Sequence, residues 1–309
     1  MTKNGPLKSA RHHWWPECVS KHWAGTDGKV GWLKPDGSSL RLPPRHLGVI
    51  GNGHFVKLGS DGQQTPFDES FESEFDKADT LFPSFIEWLG HLQRVAGKEG
   101  TAHGRFVPMT ATDKEIDRLV QCLVSLAVRS PMNREASVSL ADQLRGGQLP
   151  PRERAAIMGL NMRRQQQSIV EDVGLRAKFV VFFSPKRDFL FGDGFYHNVQ
   201  YARPPLRNPT VLAPITPNIS VLLTRPQQYM ANPRLTTLTL TEEEAEQLNL
   251  AVQIYSKNAI YFRQDAPCID DSFLIGEHRQ FADAYNPVSH MIHNLPGVPA
   301  FGHSIFGWP

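Results

Sequence analysis

Lys178-Phe-Val-Val-Phe-Phe-Ser-Pro-Lys-Arg-Asp-Phe-Leu-Phe-Gly-Asp-Gly194 decides the fold class. Lys178–Phe183 is an apolar run of strand length and composition. The Ser-Pro-Lys-Arg turn at 184–187 separates it from a second apolar run, Asp188–Phe191, which ends in the Phe-Gly-Asp-Gly turn. Beyond it, Val211–Leu223 alternates weakly around two prolines and Leu235–Leu240 alternates cleanly. Thr241-Glu-Glu-Glu244 is a capping box that opens a helix to about Ser256, and Ala259–Phe262 reads as a closing strand. A strand-rich stretch, 174–265, is therefore expected to form a mixed or antiparallel sheet.

Upstream, residues 68–173 read as helical. Phe71, Phe75, Ala78, Phe82, Phe85 and Leu89 recur at helical spacing, with Pro83 expected to kink or interrupt the helix. Thr112-Asp-Lys-Glu115 is a second capping box, opening a helix whose apolar stripe is Ile116, Leu119, Val120, Leu123 and Ala127. Pro131 ends it, because the residue before a proline avoids the helical region. A third helix starts near Pro151 and runs to Gln167 with Arg163 and Arg164 exposed. Residues 1–67 read as a small strand unit, with turns at Gly25–Gly28 and Lys34–Gly37 around a strand at Lys29–Leu33. The expected fold is α+β, one domain over 1–265, followed by an irregular extension over 266–309.

Composition narrows the function classes. The 309 residues are 40% apolar and carry a formal charge of +2, enough for a core and too balanced to argue for nucleic acid by net charge. The longest apolar runs, Leu119–Val128 and Phe179–Phe183, fall short of the roughly 20 residues a bilayer needs. The start of the chain lacks the apolar core of a signal peptide. Cys18, Cys122 and Cys268 are sparse and scattered, which fits a reducing compartment. The expectation is a cytoplasmic protein. No phosphate-cradling loop, nucleophile elbow or His-Glu-x-x-His helix is present.

Taken in order, several short segments resemble the bacterial domain-of-unknown-function family numbered four-two-three-eight. They are His12-His13-Trp14-Trp15-Pro16, then Trp23 and Asp27-Gly28-Lys29; Val128-Arg129-Ser130-Pro131 with Arg134; Phe189-Leu190-Phe191-Gly192-Asp193-Gly194; Pro214-Ile215-Thr216-Pro217; and Leu248-Asn249. The similarity spans roughly residues 10–265. Two features depart from the family pattern. Gly192 and Gly194 stand where it usually has Ser/Thr and Asn with Pro following, and the tail after 265 has no counterpart. The resemblance implies a grouping and an association with bacterial antiviral defence, not an activity.

These segments hold the candidate site residues. His13 is a possible acid/base or metal ligand, Arg129 an anion clamp at a helix end, Asp193 a carboxylate at a strand end, and Asn249 a polar neighbour. Arg134, Arg163 and Arg164 are candidate substrate-binding cations. Brought together, they would suit hydrolysis of nucleic acid or a nucleotide, with a divalent cation such as magnesium or manganese. Each also has a structural reading: a packed N-terminal strand for His13, compensation of a helix dipole for Arg129, a favoured turn pair for Asp193. In that alternative Arg129 and Asp193 form a buried ion pair and the chain is a sensor or partner subunit. His290, His293 and His303 read as surface residues.

Overall fold

The computed structural model describes residues 11–51, 55–56, 69–70, 73–95, 102–199, 209–225 and 232–278. In chain order these form strand β1 (Arg11–His13), helix α1 (Glu17–Ser20), strands β2 (Val30–Leu33), β3 (Ser39–Leu42), β4 (Val49–Gly51), β5 (Phe55–Val56) and β6 (Glu69–Ser70), and helix α2 (Ser73–His91). Strand β7 (Phe106–Met109) and helices α3 (Asp113–Arg129), α4 (Pro131–Arg145) and α5 (Pro151–Val173) follow. Strands β8 (Lys178–Phe183), β9 (Phe191–Gly192), β10 (Val211–Thr216), β11 (Ile219–Thr224) and β12 (Leu235–Thr239), helix α6 (Glu242–Tyr255), strand β13 (Ile260–Phe262) and helix α7 (Asp271–Leu274) complete them. The fold is α+β. His290, His293 and His303 lie outside the described residues, as does most of the extension.

The larger sheet is mixed, in the order β10-β11-β8-β12-β7. Its one parallel pair is β8 with β12. Alternate residues of β8 enter two different cores. Phe179, Val181 and Phe183 pack with the apolar faces of α2 and α3, including Phe75, Phe82, Phe85, Leu119 and Leu123. Val180 and Phe182 pack with Leu222, Leu238 and the inner face of α6, Ala245, Leu248, Ala251 and Tyr255. A strand covered on both faces has no solvent side, which is why Phe179–Phe183 shows no polar alternation. Both capping boxes form as read: Thr112 and Glu115 at α3, Thr241 and Glu244 at α6.

The smaller sheet, β3-β2-β13-β9, joins the two ends of the described chain. Gly31, Trp32 and Leu33 pair with Phe262, Tyr261 and Ile260, and Tyr261 pairs on its other side with Phe191. The N-terminal strand unit is thus completed by the C-terminal strands. Trp15 lies on this sheet, its ring 4.4 Å from that of Phe191 and 4.7 Å from that of Tyr261.

Three expectations are corrected. Pro83 sits inside α2 without interrupting it. Its solvent-exposed position and the burial of Phe75, Phe82, Phe85 and Leu89 on the opposite face offset a penalty of about 3 kcal/mol. Pro131 ends α3 but also begins α4, a helix the sequence reading lacked. The run Asp188–Phe191 is strand only at Phe191–Gly192 and does not pair with β8. The Ser-Pro-Lys-Arg turn instead sends the chain out of the large sheet and into the small one. Among the described residues, no helix is long and apolar enough to cross a membrane.

Candidate functional site

The segment 184–199 crosses between the two sheets, and the signature residues Trp23, Pro217 and Asn249 grip it. The Asn249 side chain, projecting from α6, accepts from Leu190 N at 2.9 Å and donates to Asp188 O at 2.9 Å. Phe189 N donates to Pro217 O at 2.6 Å, and Trp23 Nε1 donates to Phe189 O at 3.0 Å. Asp193 accepts from Lys257 N at 2.8 Å on one carboxylate oxygen and from Asn258 N at 2.9 Å on the other. Its carbonyl accepts from Met132 N at 3.3 Å. Burial pushes the Asp193 carboxyl up from its ordinary range, while His278 and these N–H groups act the other way. Asp193 therefore caps the turn that follows α6.

The glycines beside it have a packing reason. A Cβ on Gly194 would collide with the Tyr255 carbonyl, and one on Gly192 with the Ser256 hydroxyl. The end of α6 lies directly on this turn, and only glycine allows that approach.

Arg129 is 1% exposed and pairs with Asp79, not with Asp193: Nη2 reaches Oδ1 at 2.7 Å and Nη1 reaches Oδ2 at 3.1 Å. Its guanidinium also lies 4.9 Å from the Phe75 ring centre. The imidazole of His13 lies 3.2 Å from Leu47 O. Among the four candidate catalytic residues the one direct contact is Arg129 Nη1 to the His13 carbonyl oxygen, at 3.5 Å. Each of these side chains is engaged by partners of its own. Ser130 Oγ donates to Ala127 O at 2.8 Å and accepts from Asn133 N at 3.1 Å. It also lies 3.0 Å from His197 Nε2. Ser130 thus caps α4.

The candidate substrate cations lie on α4 and α5. Arg134 faces α5, with Nη1 3.6 Å from Met162 Sδ, and burial pushes its guanidinium down to about 10. Arg163 is half-buried on α5, contrary to expectation, and Arg164 is exposed. Among the described residues, no three His, Cys, Asp or Glu side chains group to hold a metal ion.

An open cleft of about 450 Å³ lies elsewhere, at the carboxyl ends of the parallel strands β8 and β12. Gly90, Arg94 and Val95 form one wall, and Phe183, Ser184, Pro185, Thr216, Asn218, Ile219 and Thr239 form the rest. The mouth of a sheet beyond the carboxyl ends of parallel strands is a recurrent place for ligands, and this volume falls in the small-molecule range. Asn218 Nδ2 donates to Ser184 O at 2.9 Å, and Thr239 Oγ1 donates to Val95 O at 2.6 Å, which fixes both walls. The Arg94 guanidinium lies 4.5 Å from the Phe183 ring centre. Among the described residues of the lining, Arg94 is the one ionisable side chain.

Of the signature segments, only Pro214–Pro217 reaches this cleft, through Thr216. The sequence reading missed Arg94, which follows the end of α2 and carries no periodic signal. It placed Phe183 in the core, where one face of the ring does pack.

The chain matches no protein-family model, no curated protein and no solved structure.

Proposed function

We propose that this chain is a non-enzymatic binding protein, a sensor or partner subunit, that takes a small molecule in the cleft beyond β8 and β12. The observation that carries the reading is the division of labour between two places. His13, Arg129, Asp193 and Asn249 are each engaged in holding backbone or an ion pair. Among the described residues the open volume is lined by apolar, hydroxyl and amide groups with one cation, Arg94, a set suited to binding. Kinship with the family numbered four-two-three-eight remains part of the proposal. On this reading its signature marks how segment 184–199 is held, and defence is the setting the kinship suggests.

Two measurements test it. Purified protein incubated with labelled RNA and DNA, with and without magnesium or manganese, is expected to leave both intact. A library of small neutral and charged fragments is expected to shift the backbone amide NMR signals of Ser184, Asn218 and Thr239. Metal-dependent cleavage that Asp193→Asn abolishes, with its unfolding midpoint unchanged, would overturn the reading in favour of a hydrolase.

A further inference from the structure

We infer that the ligand of this cleft is a monoanionic organic acid, its carboxylate on Arg94 and its apolar body against Phe183, Val95 and Ile219. The inference rests on the reading of the cleft as a ligand site. Arg41, Arg105, Arg129, Arg187, Arg234 and Arg263 each meet a carboxylate of this chain within 2.8 Å. Arg94 meets none among the described residues. Its contacts are the Phe183 ring and a long bond from Nη1 to Gly90 O at 3.4 Å. Its Nε and Nη2 donors are left as a fork, which matches a carboxylate in two parallel hydrogen bonds. Stacking on Phe183 orients the guanidinium plane before a ligand arrives.

Charge balance selects the class. In the described lining one guanidinium neutralises one negative charge, whereas a phosphate monoester already carries about 1.5 to 2 at neutral pH. A nucleoside triphosphate would bring far more charge than the described lining can meet. Val95, Phe183, Pro185 and Ile219 offer an apolar surface beside the cation, and Thr216 offers a hydroxyl proton to a neutral polar group. A carboxylate on an aromatic or alkyl body fits this pairing.

The test uses benzoate, 3-phenylpropionate and octanoate, their primary amides, inorganic phosphate and ATP, titrated into the full chain by calorimetry and amide NMR. Arg94→Met keeps the apolar stem and lies at an exposed position, so the fold is preserved. Gly90→Phe fills the cleft from a position where an added Cβ has no atom within 4 Å, and Gly90→Ala is its control. At least one acid is expected to bind about ten- to a hundredfold tighter than its amide. Arg94→Met should bring that acid down to the level of its amide, and Gly90→Phe should remove both. Acid and amide binding alike, with both lost in Gly90→Phe, overturns the monoanion but leaves the cleft as a ligand site. Phosphate or ATP binding tighter than every acid also overturns it. If no probe binds, or if neither variant changes binding, this inference and the cleft reading fall together.

Discussion

Arg129 is almost wholly buried, yet the side chain of its partner Asp79 is 42% exposed. Solvent screens such a half-open pair, so its loss costs less than the roughly 3–5 kcal/mol of a fully buried one. The sequence suggested Asp193 as that partner because both belong to signature segments. Asp79 lies on α2, where helical spacing reveals the apolar stripe and says nothing about which charge a distant arginine will find. Partner choice is a tertiary outcome. The Arg105–Glu244 pair carries a pH signature instead. Burial alone would raise the Glu244 carboxyl, but hydrogen bonds from Arg105 and from Thr241 N–H hold it below its ordinary value of 4.5. The stabilisation it contributes is therefore complete above about pH 4.5 and is lost as pH falls through the lower folded value. Glu244→Gln is expected to lose about 1–2 kcal/mol at pH 7. The gap from wild type in urea unfolding should narrow towards pH 3, and an unchanged gap there would refute the assignment.

At the scale of elements, helices were the most legible and crossings the least. Both capping boxes could be read because a cap is a local contract among four residues. The Ser130-Pro131 step was half legible. Ser130 is extended, with φ −56° and ψ 143°, so α3 does stop there. The same proline is preorganised for the first position of a new helix, and Ser130 caps it. Strand β7 was hidden by its length and by Pro108, which is tolerated because β7 is an edge strand. The crossing segment was misread as half of a hairpin, since nothing local says that β9 leaves for another sheet. Its closeness to α6 is testable. Gly194→Ala is expected to destabilise the fold by about 1–3 kcal/mol or more, as overpacking against fixed backbone does. Gly90→Ala on the open end of α2 should be neutral or mildly stabilising. Similar urea midpoints for the two variants would contradict the packing described at Gly194.

For the whole molecule, the α+β class followed from the blockwise order of helical and strand-like stretches, but the joining of β2 with β13 did not. Hydrophobic pattern places residues on a face and leaves open which distant strand will lie beside them. The candidate site was legible only as a set of polar residues in short segments. That Asn249 and Asp193 hold a chain crossing, while a cleft opens beyond β8 and β12, depends on distances across the sheets. A chain ending at Ser256 would lose β13 from between β2 and β9 and uncover Trp15. It is expected to be protease-sensitive throughout and to lack a cooperative urea transition. A truncated chain that still unfolded cooperatively would mean that the N-terminal unit does not depend on β13.

The pairing of Gly31 with Phe262 also fixes a timetable. The two residues are about 230 positions apart, and ribosomes add roughly 5–20 residues per second, so β2 waits about 10–50 s for its partner. Through that interval Trp14 and Trp15 lack the Tyr261 ring that packs against both. Chaperone demand during synthesis should therefore concentrate on the first fifty residues, and fall when β13 clears the exit tunnel.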